Sequence, residues 1–289
     1  RTGPEDALVS DFTPLETKDL SVTFNPGSEN EVVAFTDINF SLKPDEILAI
    51  VGPSGCGKST LLKALSRLLS IKSGTINLDG QSIHAQSTKE IAKKIAILPQ
   101  TPTVTDSITV EELVSYGRFP HQKGFGRLSK KDKDEIEWSL NVTGITEFRH
   151  QSINDLSGGQ RQRVWIAMAL AQKTDIIFLD EPTTYLDISH QLEILELVQH
   201  LNKELGCTIV MVLHDINQAI RFSDYLLIMK EGHIIDNGPT DQVLSKEILE
   251  SVFNIDAVLG KDPRTGKPLL VTYNLLEKQD CQQSYCKTE

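Results

Sequence analysis

An α/β fold organised around a mostly parallel sheet is predicted for this 289-residue chain by three features of its sequence. Strand-like apolar runs alternate with stretches of helical periodicity. One run ends directly in a glycine-rich turn that opens a helix. Two others, Asp175–Leu179 and Thr208–Leu213, are apolar almost throughout, as strands covered on both faces are.

The elements follow in order. Residues 1–16 are polar and acidic and read as a loose arm. Leu20–Phe24, Val32–Leu42 and Ile47–Val51 read as strands, the last ending at Gly52. Leu61, Leu62, Leu65, Leu68 and Leu69 recur at helical spacing, which predicts an amphipathic helix stopped near Ser73-Gly74. Thr75–Leu78 and Ile95–Leu98 are further strands. From Thr101 to about Asp155 the pattern changes to helices (Val110–Tyr116, Lys130–Leu140) and loops, so residues 101–156 read as an inserted helical subdomain. A helix over Gln160–Gln172, strand Asp175–Leu179, helix Ile188–Leu205 ended by Gly206, and strand Thr208–Leu213 complete the alternation.

Composition narrows the function. The formal charge is -11, which disfavours non-specific nucleic-acid binding, a process that depends on neutralising phosphates. The apolar run Thr208–Leu213, like every other in the chain, falls far short of the roughly 20 residues of a membrane span. No charged n-region followed by an apolar h-region opens the sequence, so no secretory signal is expected, although Arg1 is not an initiator Met. The cysteines, Cys56, Cys207, Cys281 and Cys286, include no CxxC pair and fit a reducing compartment; Cys281 and Cys286 lie in a polar tail, where they could pair.

The chemistry concentrates in short motifs. Gly52, Pro53, Ser54, Gly55, Cys56, Gly57, Lys58 and Ser59, followed by Thr60, fit the phosphate-loop pattern G-x-x-x-x-G-K-[ST] between a strand and a helix. Its glycines let backbone N–H groups turn inward on phosphate oxygens at a helix N-terminus; Lys58 would reach the β- and γ-phosphates and Ser59 would offer its hydroxyl to Mg2+. Asp180 and Glu181 end an apolar strand. Alone they read equally well as acids facing solvent; beside the loop, Asp180 falls near the metal and Glu181 can polarise a water. Ser157, Gly158, Gly159 and Gln160 open a helix with capping-box spacing, and the two glycines, unneeded for a cap, expose backbone N–H groups as a second anion site. His214 directly follows strand 208–213. No histidine shows zinc-type spacing.

Together these residues resemble an ATP-binding cassette (ABC) ATPase over about Leu20 to Tyr273. Residues 52–59 match Walker A, Asp180 closes Walker B, and Leu156-Ser-Gly-Gly-Gln160 matches the signature that marks the family. The resemblance implies a P-loop ATPase domain over 17–254, with an antiparallel β-subdomain beside the parallel core and a C-terminal hairpin and polar tail at 255–289. It implies that Phe24 stacks on adenine, where the family more often has Tyr. Gln100 would lie near Mg2+ and the attacking water, Asp187 would be the D-loop aspartate, and His214 would contact the γ-phosphate. It further implies ATP and Mg2+ as ligands, Glu181, His214, Lys58 and Gln100 as catalytic residues, and a head-to-tail dimer in which each signature covers the other chain's nucleotide.

Gly117-Arg-Phe-Pro-His121, Thr183-Thr-Tyr-Leu-Asp187, Leu213-His-Asp-Ile-Asn-Gln-Ala219 and Lys261–Leu269 are similar to the ATPase subunits of bacterial iron-chelate importers. That likeness implies polytopic permease partners, a substrate-binding lipoprotein acting indirectly, and a peripheral place on the cytoplasmic face of the plasma membrane. Haem and cobalamin importers share much of the pattern, and an iron–sulfur assembly ATPase is the rival of another class. DNA-repair and translation types would need long coiled coils or two cassettes, and intact Glu181 and His214 disfavour a non-hydrolysing module. An insertion-like stretch, Asn25–Val32, departs from the pattern next to Phe24.

Overall fold

Three central strands divide their side chains between the two layers of the molecule. The computed structural model describes residues 13–276 except 101, 104–106 and 125. The chain enters through β1 (Leu15–Phe24) and β2 (Val32–Leu42), an antiparallel pair joined by the turn 25–31. β3 (Ile47–Val51) leads into α1 (Lys58–Leu65), then β4 (Ser73–Leu78), β5 (Gln81–Ser82), α2 (Thr88–Ala92) and β6 (Ile95–Leu98). Helices α3 (Val110–Ser115), α4 (Lys130–Val142) and α5 (Gly158–Ala171) precede β7 (Ile176–Asp180), α6 (Ile188–Leu205) and β8 (Thr208–Val212). The last part comprises α7 (Ile216–Phe222), β9 (Tyr225–Lys230), β10 (His233–Pro239), α8 (Lys246–Phe253) and the hairpin of β11 (Ile255–Lys261) and β12 (Pro268–Leu275).

The main sheet runs β10-β9-β3-β8-β7-β6 and is parallel at every junction except β10–β9. β3, β7 and β8 are buried along their whole length, which is why they read as nearly unbroken apolar runs. Successive side chains still alternate between faces. Ile47, Ala49, Ile177, Leu179, Ile209 and Met211 pack with α5–α8, whereas Leu48, Ile50, Phe178, Val210 and Val212 pack with α1 and the antiparallel sheet β2-β1-β4-β5. The mostly parallel core flanked by an antiparallel sheet is the architecture expected from the sequence.

A third apolar cluster joins Val110, Leu113 and Val114 of α3, Ile136 and Leu140 of α4, and Val164, Ala167 and Ala171 of α5. The opposite flank of α5, through Ile166, Ala169 and Leu170, packs in the main core. One helix is therefore the wall shared by the 110–155 helices and the sheet.

Several boundaries differ from the sequence reading. The loose arm over 1–16 ends sooner: Leu15 and Glu16 belong to β1, with Leu15 fully buried, while residues 1–12 lie outside the described residues. The helix expected to run toward Ser73 stops at Leu65. Ser66 turns its hydroxyl back onto the Leu62 and Lys63 carbonyls and Arg67 adopts a left-handed φ of 63°, so Leu68 leaves the apolar stripe and is exposed. The helix from Val110 tightens at Tyr116 into a 3-10 turn through His121 that contains Pro120. The insertion-like stretch at 25–32 is the β1–β2 turn with the first residue of β2. Between Leu213 and the hairpin, where the sequence reading assigns no element, the apolar run Tyr225–Lys230 forms β9. Cys281 and Cys286, with the rest of the polar tail from residue 277, lie outside the described residues.

Candidate functional site

The glycine-rich turn after β3 is shaped by lack of space. A Cβ on Gly52 would stand 2.2 Å from the Met229 carbonyl oxygen, and one on Gly57 would stand 2.8 Å from that of Ala34. Gly57 also caps α1 with φ of 97°, a conformation that side-chain-bearing residues avoid. Cys56 packs beneath the turn, and burial pushes its thiol pKa up, so it is a packing residue. The Lys58 ammonium folds back on its own loop and donates to the carbonyls of Gly52 (2.5 Å) and Pro53 (3.2 Å). Ser54 to Thr60, Gln100, Glu181 and His214 line an open cleft of about 340 Å³ over this turn.

Parallel pairing aligns the acidic residues. Asp180 at the end of β7 is level with Val212 of β8, and Glu181 donates its N–H to the Val212 carbonyl at 3.1 Å, so the residues just past both strands emerge together. Asp180 is buried and accepts a hydrogen bond from the Ser59 hydroxyl at 2.9 Å. Burial, and to a lesser degree the neighbouring Glu181, raises its pKa against that hydrogen bond. Glu181 has φ of 51°; its Oε1 lies 2.6 Å from His214 Nε2 and its Oε2 accepts from the Thr184 hydroxyl at 3.4 Å. A buried carboxylate beside a serine hydroxyl is an oxygen donor set that suits Mg2+, which takes few protein ligands and leaves its other positions to phosphate and water.

Lys58, Ser59, Gln100, Glu181 and His214 thus meet in one cleft, with Asp180 joined to it through Ser59. Other expected site residues stand elsewhere. Phe24 ends β1 opposite Val32, partly exposed and outside the cleft lining; its hairpin reaches the turn through Ala34 instead. Ser157 caps α5, accepting from the Gln160 N–H at 3.2 Å while Gln160 accepts from the Ser157 N–H at 3.0 Å. Ser157 and Gly158 are exposed, and Gly159 packs so closely on His190 that a Cβ would stand 2.8 Å from its ring. Asp187 caps α6: the His190 N–H at 3.1 Å and then its ring Nδ1 at 2.6 Å hold the carboxyl pKa below the usual range. Tyr185 and Ile188, either side of Asp187, are 88% and 73% exposed.

Sequence reasoning missed the residues that hold these parts in place. Gln162 donates to the Pro182 carbonyl at 2.9 Å, and Thr184 meets Glu181. The Gly117–His121 motif proves to be a clamp. Gly117 sits where a Cβ would meet the Met168 carbonyl at 2.2 Å, and buried Arg118 pairs with Asp132 (2.9 Å) and donates to the Ala171 carbonyl (2.8 Å). His121 meets the Gln172 carbonyl at 2.6 Å, so the motif holds the C-terminal end of the helix that Ser157 opens. A charged residue among apolar neighbours, as Arg118 is, was the available signal.

Comparison with known proteins supplies an independent line. The family profile described as ABC transporter matches residues 35–184. The iron(3+)-hydroxamate import ATP-binding protein of Bacillus subtilis is 51% identical over 265 residues, covering 92% of this chain and 97% of the relative. The ferric enterobactin transport ATP-binding protein of Escherichia coli is 46% identical over 244 residues, 84% and 88% of the two chains. A metal-chelate type ABC transporter solved in an inward-facing conformation superposes with a TM-score of 0.77 at 26% identity, covering 92% and 98%. A dimeric cassette in a post-hydrolysis state with ADP and Pi superposes with a TM-score of 0.68 at 32% identity, covering 78% and 98%.

Proposed function

From the premise that this chain belongs to the ABC transporter family of ATP-binding proteins, we propose that it is the ATP-hydrolysing subunit of a bacterial ferric-siderophore importer. It works as a head-to-tail dimer on the cytoplasmic face of the plasma membrane, bound to permease subunits that a substrate-binding lipoprotein supplies. The cargo follows from the iron-chelate names of two relatives, each of which this chain matches over most of its length. No helix among the described residues is long and apolar enough to cross a membrane, so the channel belongs to the partner.

The observation that carries the catalytic reading is the pairing of Glu181 with His214 at 2.6 Å on the wall of the phosphate-loop cleft. ATP enters with its phosphates over the N–H groups of 54–60 and the positive end of α1. Lys58 exchanges its loop carbonyls for the β- and γ-phosphates, a stronger charge-assisted contact. Ser59 and Asp180, with Gln100 beside them, would hold Mg2+, whose chemistry is to neutralise charge on the β- and γ-oxygens. Glu181 orients a water against the γ-phosphate and accepts its proton, while His214 steadies the carboxylate and contacts the γ-phosphate.

The signature belongs to a different cleft. Ser157 and Gln160 satisfy the cap between them and leave the N–H groups of Gly158 and Gly159 outside it; none of the four residues lines the phosphate cleft of its own chain, so they cover the nucleotide of a second copy. Phe24 supplies an aromatic face for adenine at the rim of that assembly. The segment from Gln100 to His121, of which 101 and 104–106 lie outside the described residues, transmits the cycle to the permease.

The test is a Glu181→Gln chain reconstituted with its permease. ATP binding is expected to persist while hydrolysis and ferric-siderophore uptake fall together, and chelating Mg2+ is expected to stop turnover in the parent. Parental hydrolysis by the variant would overturn the assignment of the base.

A further inference from the structure

The loop from Glu181 to Asp187 joins the cleft to the exposed face. Two of its residues, Glu181 and Tyr185, hold left-handed φ values of 51° and 66°, which side-chain-bearing residues keep only when the surroundings hold them. Three glutamines from three helices provide that hold. Gln162 of α5 donates to the Pro182 carbonyl (2.9 Å) and Gln191 of α6 donates to the Leu186 carbonyl (2.8 Å). Gln218 of α7 donates from Nε2 to Gln191 Oε1 at 2.8 Å.

The last two bonds form one polarised chain, because Gln191 accepts at one end of its amide and donates at the other. Gln218 lies in the first turn of α7, where its own N–H donates to Asp215 at 2.9 Å, and Asp215 directly follows His214. Any shift of His214 therefore moves the start of α7 and with it the donor that holds Gln191. The far end of the chain is the carbonyl adjoining Asp187, between exposed Tyr185 and Ile188. Neither Gln191 nor Gln218 lines the cleft.

We propose that Gln218 and Gln191 are positioning residues that carry the place of His214 to the 185–188 face, so that engaging the γ-phosphate in one chain sets the surface offered to the second copy. This rests on the two-copy reading above.

The full chain carrying Glu181→Gln isolates the coupling from hydrolysis. Its ATP affinity is read on dilute, separate chains, and its ATP-driven association on concentrated ones. Adding Gln218→Leu is expected to weaken association at least about fivefold, the lower end of typical site–site coupling, with the affinity of separate chains unchanged. Gln218→Lys, which keeps a donor toward Gln191 Oε1, is expected to restore association. Gln191→Glu keeps the acceptor for Gln218 but loses the donor to Leu186, so it is expected to weaken association although α6 and α7 stay joined. It also serves as the test if Gln218→Leu fails to fold. Parental association in Gln191→Glu or in folded Gln218→Leu, or equal loss in Gln218→Leu and Gln218→Lys, would overturn the inference. Failure of the Glu181→Gln parent itself to associate with Mg2+ and ATP would instead overturn the two-copy reading, and the inference with it.

Discussion

The phosphate cleft and the signature face are built in opposite ways from the same chain. In the cleft, groups far apart in sequence already touch: Ser59 on Asp180 and His214 on Glu181, with Lys58 and Asp180 buried. On the signature face, Ser157, Gln160 and Asp187 satisfy only their own helix starts, and Tyr185 and Ile188 stand in the open. The contrast teaches that, under the proposed function, one region is a nearly complete catalytic half-site and the other is the lid offered to a second copy. Under the proposed function, a signature turn that is well capped yet absent from its own chain's cleft serves the nucleotide of another copy.

Three substitutions and one change of pH would break or sharpen that contrast. Glu181→Gln strikes the cleft alone and is expected to lower turnover by about 10²–10⁴-fold, the span of a lost general base, in a steady-state ATPase assay. Arg118→Met strikes the clamp behind the signature helix. Leaving Asp132 buried without its partner is expected to cost about 3–5 kcal/mol, read as a lower denaturant midpoint, with cleft geometry otherwise intact. Gly159→Ala crowds the signature turn against His190. Turnover should fall by about five- to 150-fold, the usual range of a disturbed coupling between sites, while nucleotide affinity of separate chains stays level; loss of that affinity would place the signature in its own chain's cleft.

The smallest effect is the pH dependence of the clamp. Burial tends to raise the Asp132 pKa, but hydrogen bonds from Ser129 and Arg118 outweigh it, and the net value lies below the ordinary 3.8. The folded state then binds this proton less readily than the unfolded chain. Its contribution is full above 3.8 and is lost as the pH falls through the lowered value. Thermal melts below that pH should lose less stability in Arg118→Met than in the parent, because the pair is already broken.

How much of this was legible in the sequence follows from what is local. The turn 52–59, the cap at Ser157 and helix 188–205 depend on neighbouring residues, and they stand where the pattern put them. The apolar strands were readable because burial on both faces removes polar alternation. The meeting of Glu181 with His214 was not, since it depends on the register of β7 against β8, a pairing no local pattern encodes. Likewise the overrun of α1 past Leu65 arose because Leu68 and Leu69 continue the helical spacing while Ser66 and Arg67 end the helix by hydrogen bonding and backbone conformation. The contacts of Arg118 and of the glutamine chain are illegible for the same reason: their partners come from other helices.

Native mass spectrometry of the Glu181→Gln chain with Mg2+ and ATP tests the composite site most directly. Two polypeptides holding two ATP molecules are expected, reverting to single polypeptides when Gly159→Asp is added. A single polypeptide retaining one ATP at every concentration, with or without the permease, would contradict it.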